Sequence, residues 1–309
     1  MKAAAGSEGL KSEALRAALS AALGGRPAAL EELFCRYGGG HDTRPNLRLG
    51  AAFGVEMQAQ PNGAAALLAR LGSDDAAPDT PRVFLPMAAA YGWVGQLRAD
   101  RDDAQAWAAL GELSGDERPP VRFATMDALL AFATRGGGAR TLVTHAGEWL
   151  QMEDRELGFG AAASAIEVLA NKQVLAVAGN GAALMDFLSQ AIAAAADAPR
   201  SAERSDARRR LLLALPKTLA ATVIAFAAGD RERDRSIDWL ETECRQAQRT
   251  DVRAVLSDAV VRLQTKGEGL SETVAQRLRA TLQGSAKPPR DPSRIRPGQG
   301  RGKQSRRVR

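Results

Sequence analysis

Imidazole and thiol chemistry in this chain is confined to four residues, His41, His145, Cys35 and Cys244. Hydrolysis through a serine or cysteine nucleophile needs a general base, so it would have to recruit one of the two histidines. Neither histidine has a second ligand at the short spacing of a structural zinc site. No Cys-x-x-Cys, His-Glu-x-x-His, phosphate-binding glycine loop, dinucleotide fingerprint or nucleophile elbow occurs. The sequence nominates no catalytic residue, no cofactor and no metal ligand, and it leaves enzymatic activity open. Two widely separated cysteines are no disulfide framework. Both lie in apolar helical patterns, the setting of buried thiols in a reducing compartment.

What remains is binding chemistry. The stretch Gly38 to Asn46, GGGHDTRPN, brings His41, Asp42, Arg44 and Asn46 into one link. It reads either as a partner contact carried on flexible glycines or as a helix stop. In the second reading, His41 or Asp42 satisfies loose backbone groups and Asn46 caps the next helix. Gly136 to Gly138 favours the second reading, because it ends a helix in the same way. Trp93, Trp107, Trp149 and Trp239 either fill gaps between slender helices or offer stacking faces in a groove. Trp149, close to Glu153, Asp154 and Arg155, is nearest to polar groups. Arg204, Arg208, Arg209 and Arg210 form a basic cluster that a solvent-facing helix start explains equally well.

The net charge of +6 is unevenly placed. Residues 287–309 hold nine basic residues, Arg306 and Arg307 among them, against Asp291 alone, so this segment carries +8 and the rest of the chain −2. Its four prolines, several glycines and few apolar residues predict a disordered tail over 285–309 that attracts polyanions electrostatically, with nucleic acid or the ribosome as possible contacts. No secretory signal is visible, and no run reaches the roughly 18 apolar residues of a membrane span. A cytoplasmic protein without membrane contact is the expectation.

The elements that must position these groups are helices. Alanine supplies 62 of 309 residues, aromatic residues only 5%, and β-branched residues are sparse, which argues against a sandwich or barrel. Apolar residues recur at helical spacing almost throughout, as in Leu15, Ala18, Leu19 and Ala22. The spacing predicts about twelve to fourteen helices with short polar links, among them Leu47–Met57, Val83–Leu97, Val121–Ala133, Arg155–Ala170 and Asp251–Lys266. Pro216 predicts a kink or a division within 207–228.

One pattern recurs. Val121-Arg122 leads into Ala124, Asp127, Ala128 and Leu129, while Val252-Arg253 leads into Val255, Asp258, Ala259 and Val260, 131 residues later. Three units of about 44 residues would span that offset. Alanines at mid-helix permit close approach of a neighbouring helix. The valine is expected to pack inward, and the arginine to face out or to pair with an acid in the next turn.

The pattern Val-Arg-x-Ala-x-x-x-Ala-Leu resembles the second helix of a HEAT repeat over Asp116 to Leu129, and over Gln248 to Val261 with valine replacing an alanine. The resemblance implies an all-α, HEAT-like α-solenoid of antiparallel helix pairs over residues 1–284. It also implies a scaffold or adaptor that holds a protein partner against a curved surface. Candidate partner-binding residues are Arg122, Arg253, Trp149, Arg208, Arg209, His41 and Arg44, with Arg306 and Arg307 in the tail. An alternative follows from the same resemblance. Some HEAT-like proteins are glycosylases that remove alkylated DNA bases with aromatic and acidic residues in a basic groove. Here only Trp149 with Asp154 could serve that chemistry.

Overall fold

Alanine and leucine at a 3.6-residue period, punctuated by glycine, proline and capping side chains, produce helices and nothing else among the described residues. The computed structural model describes residues 2–39, 44–60, 64–179, 181–226, 230–266 and 272–284. In chain order the helices are α1 (Lys2–Leu23), α2 (Ala28–Tyr37), α3 (Leu47–Gln58), α4 (Ala64–Gly72), α5 (Phe84–Ala99), α6 (Ala104–Gly115), α7 (Pro119–Ala133) and α8 (Gly138–Trp149). They continue with α9 (Arg155–Leu169), α10 (Lys172–Val177), α11 (Gly181–Ala196), α12 (Asp206–Phe226), α13 (Asp230–Gln246), α14 (Thr250–Lys266) and α15 (Glu272–Gly284). A 3₁₀ turn, Pro81–Val83, leads into α5.

Several boundaries have a visible local cause. The Asn46 side chain accepts the Leu49 N–H and donates to the Tyr37 carbonyl, so it starts α3 and closes the preceding link at once. Asp103, Asp154 and Asn171 accept N–H groups at the starts of α6, α9 and α10. Pro119 and Pro120 occupy the first positions of α7, where a missing N–H costs nothing. Gly137, at φ +83°, takes the left-handed conformation that separates α7 from α8. Pro216 does not divide its helix: α12 runs through it as one element. Helix α10 was not anticipated, because six residues are too few to show a period.

The helices are arranged in two rows. Helices α3, α5, α7, α9, α12 and α14 pack successively against one another. A second row, α4, α6, α8, α11, α13 and α15, runs alongside. Consecutive members form the hairpins α4/α5, α6/α7, α8/α9, α11/α12 and α13/α14. This is a solenoid-like architecture, in which each hairpin buries its apolar face against its neighbours rather than against itself. Helices α5 and α9 are apolar around most of their circumference. The reason is visible in their contacts: α5 is enclosed by α2, α3, α4, α6 and α7, and α9 by α6, α7, α8 and α12.

Val121 and Val252 occupy equivalent places. Each is the third residue of a helix in the first row, and each is buried. The exposure pattern of 121–125 repeats over 252–256, and that of 127–129 over 258–260. The recurrence in sequence is therefore a recurrence in packing.

Close approach is achieved by glycine as much as by alanine. A Cβ on Gly54 would lie 2.6 Å from the Tyr91 carbonyl oxygen, so α3 and α5 meet backbone to backbone. A Cβ on Gly160 would lie 3.1 Å from the Gly115 Cα, which brings α9 equally close to α6. At that proximity side-chain hydroxyls reach the neighbouring backbone. Ser164 donates to the Ser114 carbonyl at 2.7 Å and Thr218 to the Ile166 carbonyl at 3.0 Å.

Candidate partner-docking site

Arginine is concentrated where first-row helices begin, beside the ends of second-row helices. A helix C-terminus leaves carbonyls without intrahelical donors, and a guanidinium can supply them. Arg122 donates to the Asp116 and Glu117 carbonyls just past α6, and Arg155 to the Leu150 carbonyl at the end of α8. Arg253 reaches the Leu282 carbonyl near the end of α15. Arg208 is 4% exposed and donates to the Ala195 carbonyl through Nε at 2.9 Å and Nη2 at 2.7 Å. Its Nη2 also meets Asp251 Oδ2 at 2.6 Å, tying α12 to α14. Arg118 performs the same task near the other end of the row. It pairs with Asp116 and donates to the Asp74 and Ala76 carbonyls. The arginine after the opening valine therefore neither faces out freely nor pairs with an acid in the next turn. It satisfies backbone at the hairpin ends.

A cleft of about 820 Å³ opens where α7, α9 and α12 begin. Arg122, Arg209 and Arg210 reach it from α7 and α12, and Leu157 and Leu213 supply its apolar surface. Glu117, Asp154, Glu156 and Asp206 also line it. Two of the expected residues, Arg122 and Arg209, thus meet in one place although 87 positions separate them. Arg210 belongs to the basic cluster seen in the sequence but not to the candidate partner-binding residues, and Leu213 belongs to neither. A signal for Leu213 existed: in Leu211-Leu212-Leu213 the side chains spread over about 200°, more than one packed face of a helix covers unless neighbours enclose it. Leu213 is 69% exposed.

Arg210 makes no hydrogen bond or ion pair among the described residues. Its Nη2 lies 2.5 Å from where a Cβ on Gly160 would stand, so the absent side chain of α9 makes room for the guanidinium. Burial lowers the pKa of Arg210, and the charge of Arg122 lowers it further. Burial lowers that of Arg122 as well, against the pull of Asp116 and Glu167. Both arginines are half-buried and line the cleft together with its four carboxylates.

Other nominated residues lie elsewhere. Trp149 is 3% exposed: its indole N–H donates to the Trp107 carbonyl, and its ring packs beside that of Trp107. It has no face open to a base. Asp154 does line the cleft, but its Oδ1 accepts the Glu156 and Leu157 N–H groups. The pairing on which base excision depended is not presented, because the aromatic member fills the core. Arg208 is likewise enclosed, so its role is internal. Arg253 is half-buried on α14, away from the cleft, and Arg44 is exposed ahead of Pro45. His41, Arg306, Arg307 and the whole segment 285–309 lie outside the described residues.

His145 stacks on Trp107, with ring centroids 4.3 Å apart, and its Nδ1 lies 2.6 Å from Glu148 Oε2. Among the described residues no group of three or more His, Cys, Asp or Glu side chains could hold a metal, and no helix is long and apolar enough to cross a membrane. No protein-family profile matches the chain, and no curated protein matches it.

Proposed function

We propose that this chain is a HEAT-type α-solenoid acting as a cytoplasmic scaffold or adaptor, which holds a protein partner along the free face of its first helix row. One observation carries the reading. Seven large apolar side chains are exposed among the described residues, and five of them belong to first-row helices: Val55, Phe123, Leu213, Ile224 and Val261. Leu213 and Ile224 are eleven residues apart on α12, which brings them within about 20° of one stripe. Val261 corresponds in the repeat to Leu130, seven residues beyond Phe123 and again within about 20° of its direction. Apolar side chains exposed on α3, α7, α12 and α14 of one row are surface that an extended protein segment can cover. The basic segment 285–309 adds an electrostatic contact with a polyanion, to which Arg306 and Arg307 contribute and which weakens as salt rises.

The test uses the full-length chain as bait in cell extract, in parallel with F123S/L213S and with Y37S. Tyr37 is exposed but lies on α2, outside the row. The reading expects a defined set of captured proteins to be lost with F123S/L213S and kept with Y37S. Equal capture by all three baits would refute it.

A further inference from the structure

Two charged side chains are more than nine-tenths buried among the described residues, Arg208 and Glu243. The charge of Arg208 is met by Asp251. Glu243, on α13, is 8% exposed and has no ion pair among the described residues. Its Oε1 accepts the hydroxyl of Ser189 on α11 at 2.6 Å, and Ser189 Oγ accepts the Trp239 indole N–H at 2.9 Å. Its Oε2 takes no bond from a described residue and is not sealed inside the protein. Burial raises the pKa of Glu243, and only the Ser189 bond opposes it. One hydroxyl replaces a small share of the water that a carboxylate loses on burial.

Glu243 and Ser189 line a hollow of about 620 Å³ between α11, α13 and the start of α14. On this lining Asp197 and Glu243 outnumber the single cation, Arg249. The guanidinium of Arg249 is already engaged by Glu203 at 2.7 Å, Asp251 at 3.2 Å and the Ala196 carbonyl at 3.2 Å. Arg208 and Arg249 are thus matched by Asp251 and Glu203, two charges against two. Asp197 also lines an adjoining hollow with Arg155, which Glu243 does not reach. The buried negative charge of Glu243 is therefore left over, facing open space.

We infer that this hollow receives the ammonium of a lysine side chain from a partner peptide, bound by Glu243, with the methylene stem against Ile192, Ala247 and Val252. The site adds a contact on the second helix row and does not depend on the exposed apolar side chains of the first. Lysine fits better than arginine. Ser189 already occupies Oε1, whereas the guanidinium fork needs both carboxylate oxygens; a compact ammonium needs one. The buried apolar part of the lining suits a lysine stem, which packs on apolar surface while its charge seeks a polar group. The volume gives room for the side chain and part of its main chain, more than a small free amine fills.

The experiment follows the indole N–H resonances of the full-length, tryptophan-labelled protein at pH 7. The ligands are Ac-Ala-Lys-Ala-NH₂, its ε-acetyl-lysine and arginine counterparts, and n-pentylamine. Trp239→Phe assigns the reporter, which touches Ser189 and through it Glu243. The lysine peptide is expected to shift the Trp239 signal. The acetyl-lysine peptide should bind about tenfold or more weakly, as loss of a charge-assisted contact implies. The arginine peptide and pentylamine should also bind more weakly than the lysine peptide. Glu243→Gln keeps an oxygen for Ser189 and removes the charge. It should lose about tenfold or more in affinity for the lysine peptide while its Tm at pH 7 rises, because an uncompensated buried charge is gone. Absence of any shift would overturn the proposal, as would equal binding of the acetyl-lysine peptide, unchanged affinity of E243Q or a fall in its Tm. Equal or tighter binding of the arginine peptide would overturn the choice of lysine, and equal binding of pentylamine the choice of a peptide. F123S/L213S should leave these titrations unchanged, so the first-row reading and this site fail separately.

Discussion

Arg208 provides the strictest test of how the hairpins are held together. Its guanidinium makes two hydrogen bonds to the Ala195 carbonyl, one to the Glu203 carbonyl and one to Asp251 Oδ2. Replacing it with methionine keeps the aliphatic stem and removes every one of these donors. Breaking a buried charged pair costs about 3–5 kcal/mol when the remaining charge is left enclosed. Here Asp251 keeps Arg249 at 3.2 Å and is itself partly exposed, so the expected loss is about 2–4 kcal/mol. An exposed helix-start arginine would contribute about 0–1 kcal/mol. Urea denaturation gives the total. Hydrogen exchange at the starts of α12 and α14 locates it, because stacked hairpins can open segment by segment. A loss below about 0.5 kcal/mol, within the ordinary range of surface substitutions, would refute the reasoning.

The same pair predicts a pH dependence. Burial raises the pKa of Asp251, but hydrogen bonds from Arg208, Arg249 and the Val252 N–H together outweigh it and leave the carboxyl below its ordinary value. An acid whose pKa is lower in the folded state contributes stability that is complete above its unfolded value, about 4. That contribution disappears as the pH falls through the folded value. The stability difference between the unaltered protein and D251N should therefore be full at pH 7 and should shrink below about pH 4.

Three further outcomes are expected. Gly95→Ala would drive a Cβ into the Gly54 carbonyl where α3 and α5 touch, costing about 1–3 kcal/mol or more in thermal or urea unfolding. Cys244 is fully buried, and its thiol is pushed up to about 12 by burial and by the charges of Glu243 and Glu241. In a native-state titration with a thiol-specific reagent at pH 8, Cys35 should therefore react first and Cys244 only upon unfolding. Burial raises the pKa of Glu243 against the bond it accepts from the Ser189 hydroxyl, so folding loses stability as the pH rises past the unfolded glutamate value. Glu243→Gln should accordingly raise the Tm at pH 7 and leave it unchanged near pH 3.5.

Local rules made the elements legible. Alanine and leucine spacing, the glycine stops at 38–39 and 136–138, the Asn46 cap and the two leading prolines of α7 depend on residues a few positions apart, and each has its expected effect. The recurrence of Val121 at Val252 was equally visible, since a solenoid repeats its packing whenever it repeats its pattern. Pro216 shows where local preference yields: enclosed between neighbouring helices, α12 continues through a residue that in isolation would interrupt it.

Where single side chains lie, and whether they are open to a partner, was decided by tertiary contacts. Trp149 and Arg208 carry the groups a binding surface needs, yet both are enclosed, one filling a gap beside Trp107 and the other bonding a helix end thirteen residues upstream. Arg122 and Arg210 are 88 residues apart and meet because α7, α9 and α12 begin at one edge of the stack. Helical periodicity reports only which face of a helix is apolar. Which neighbour covers that face, and which distant side chains come to line one cleft, depends on the order in which the hairpins stack.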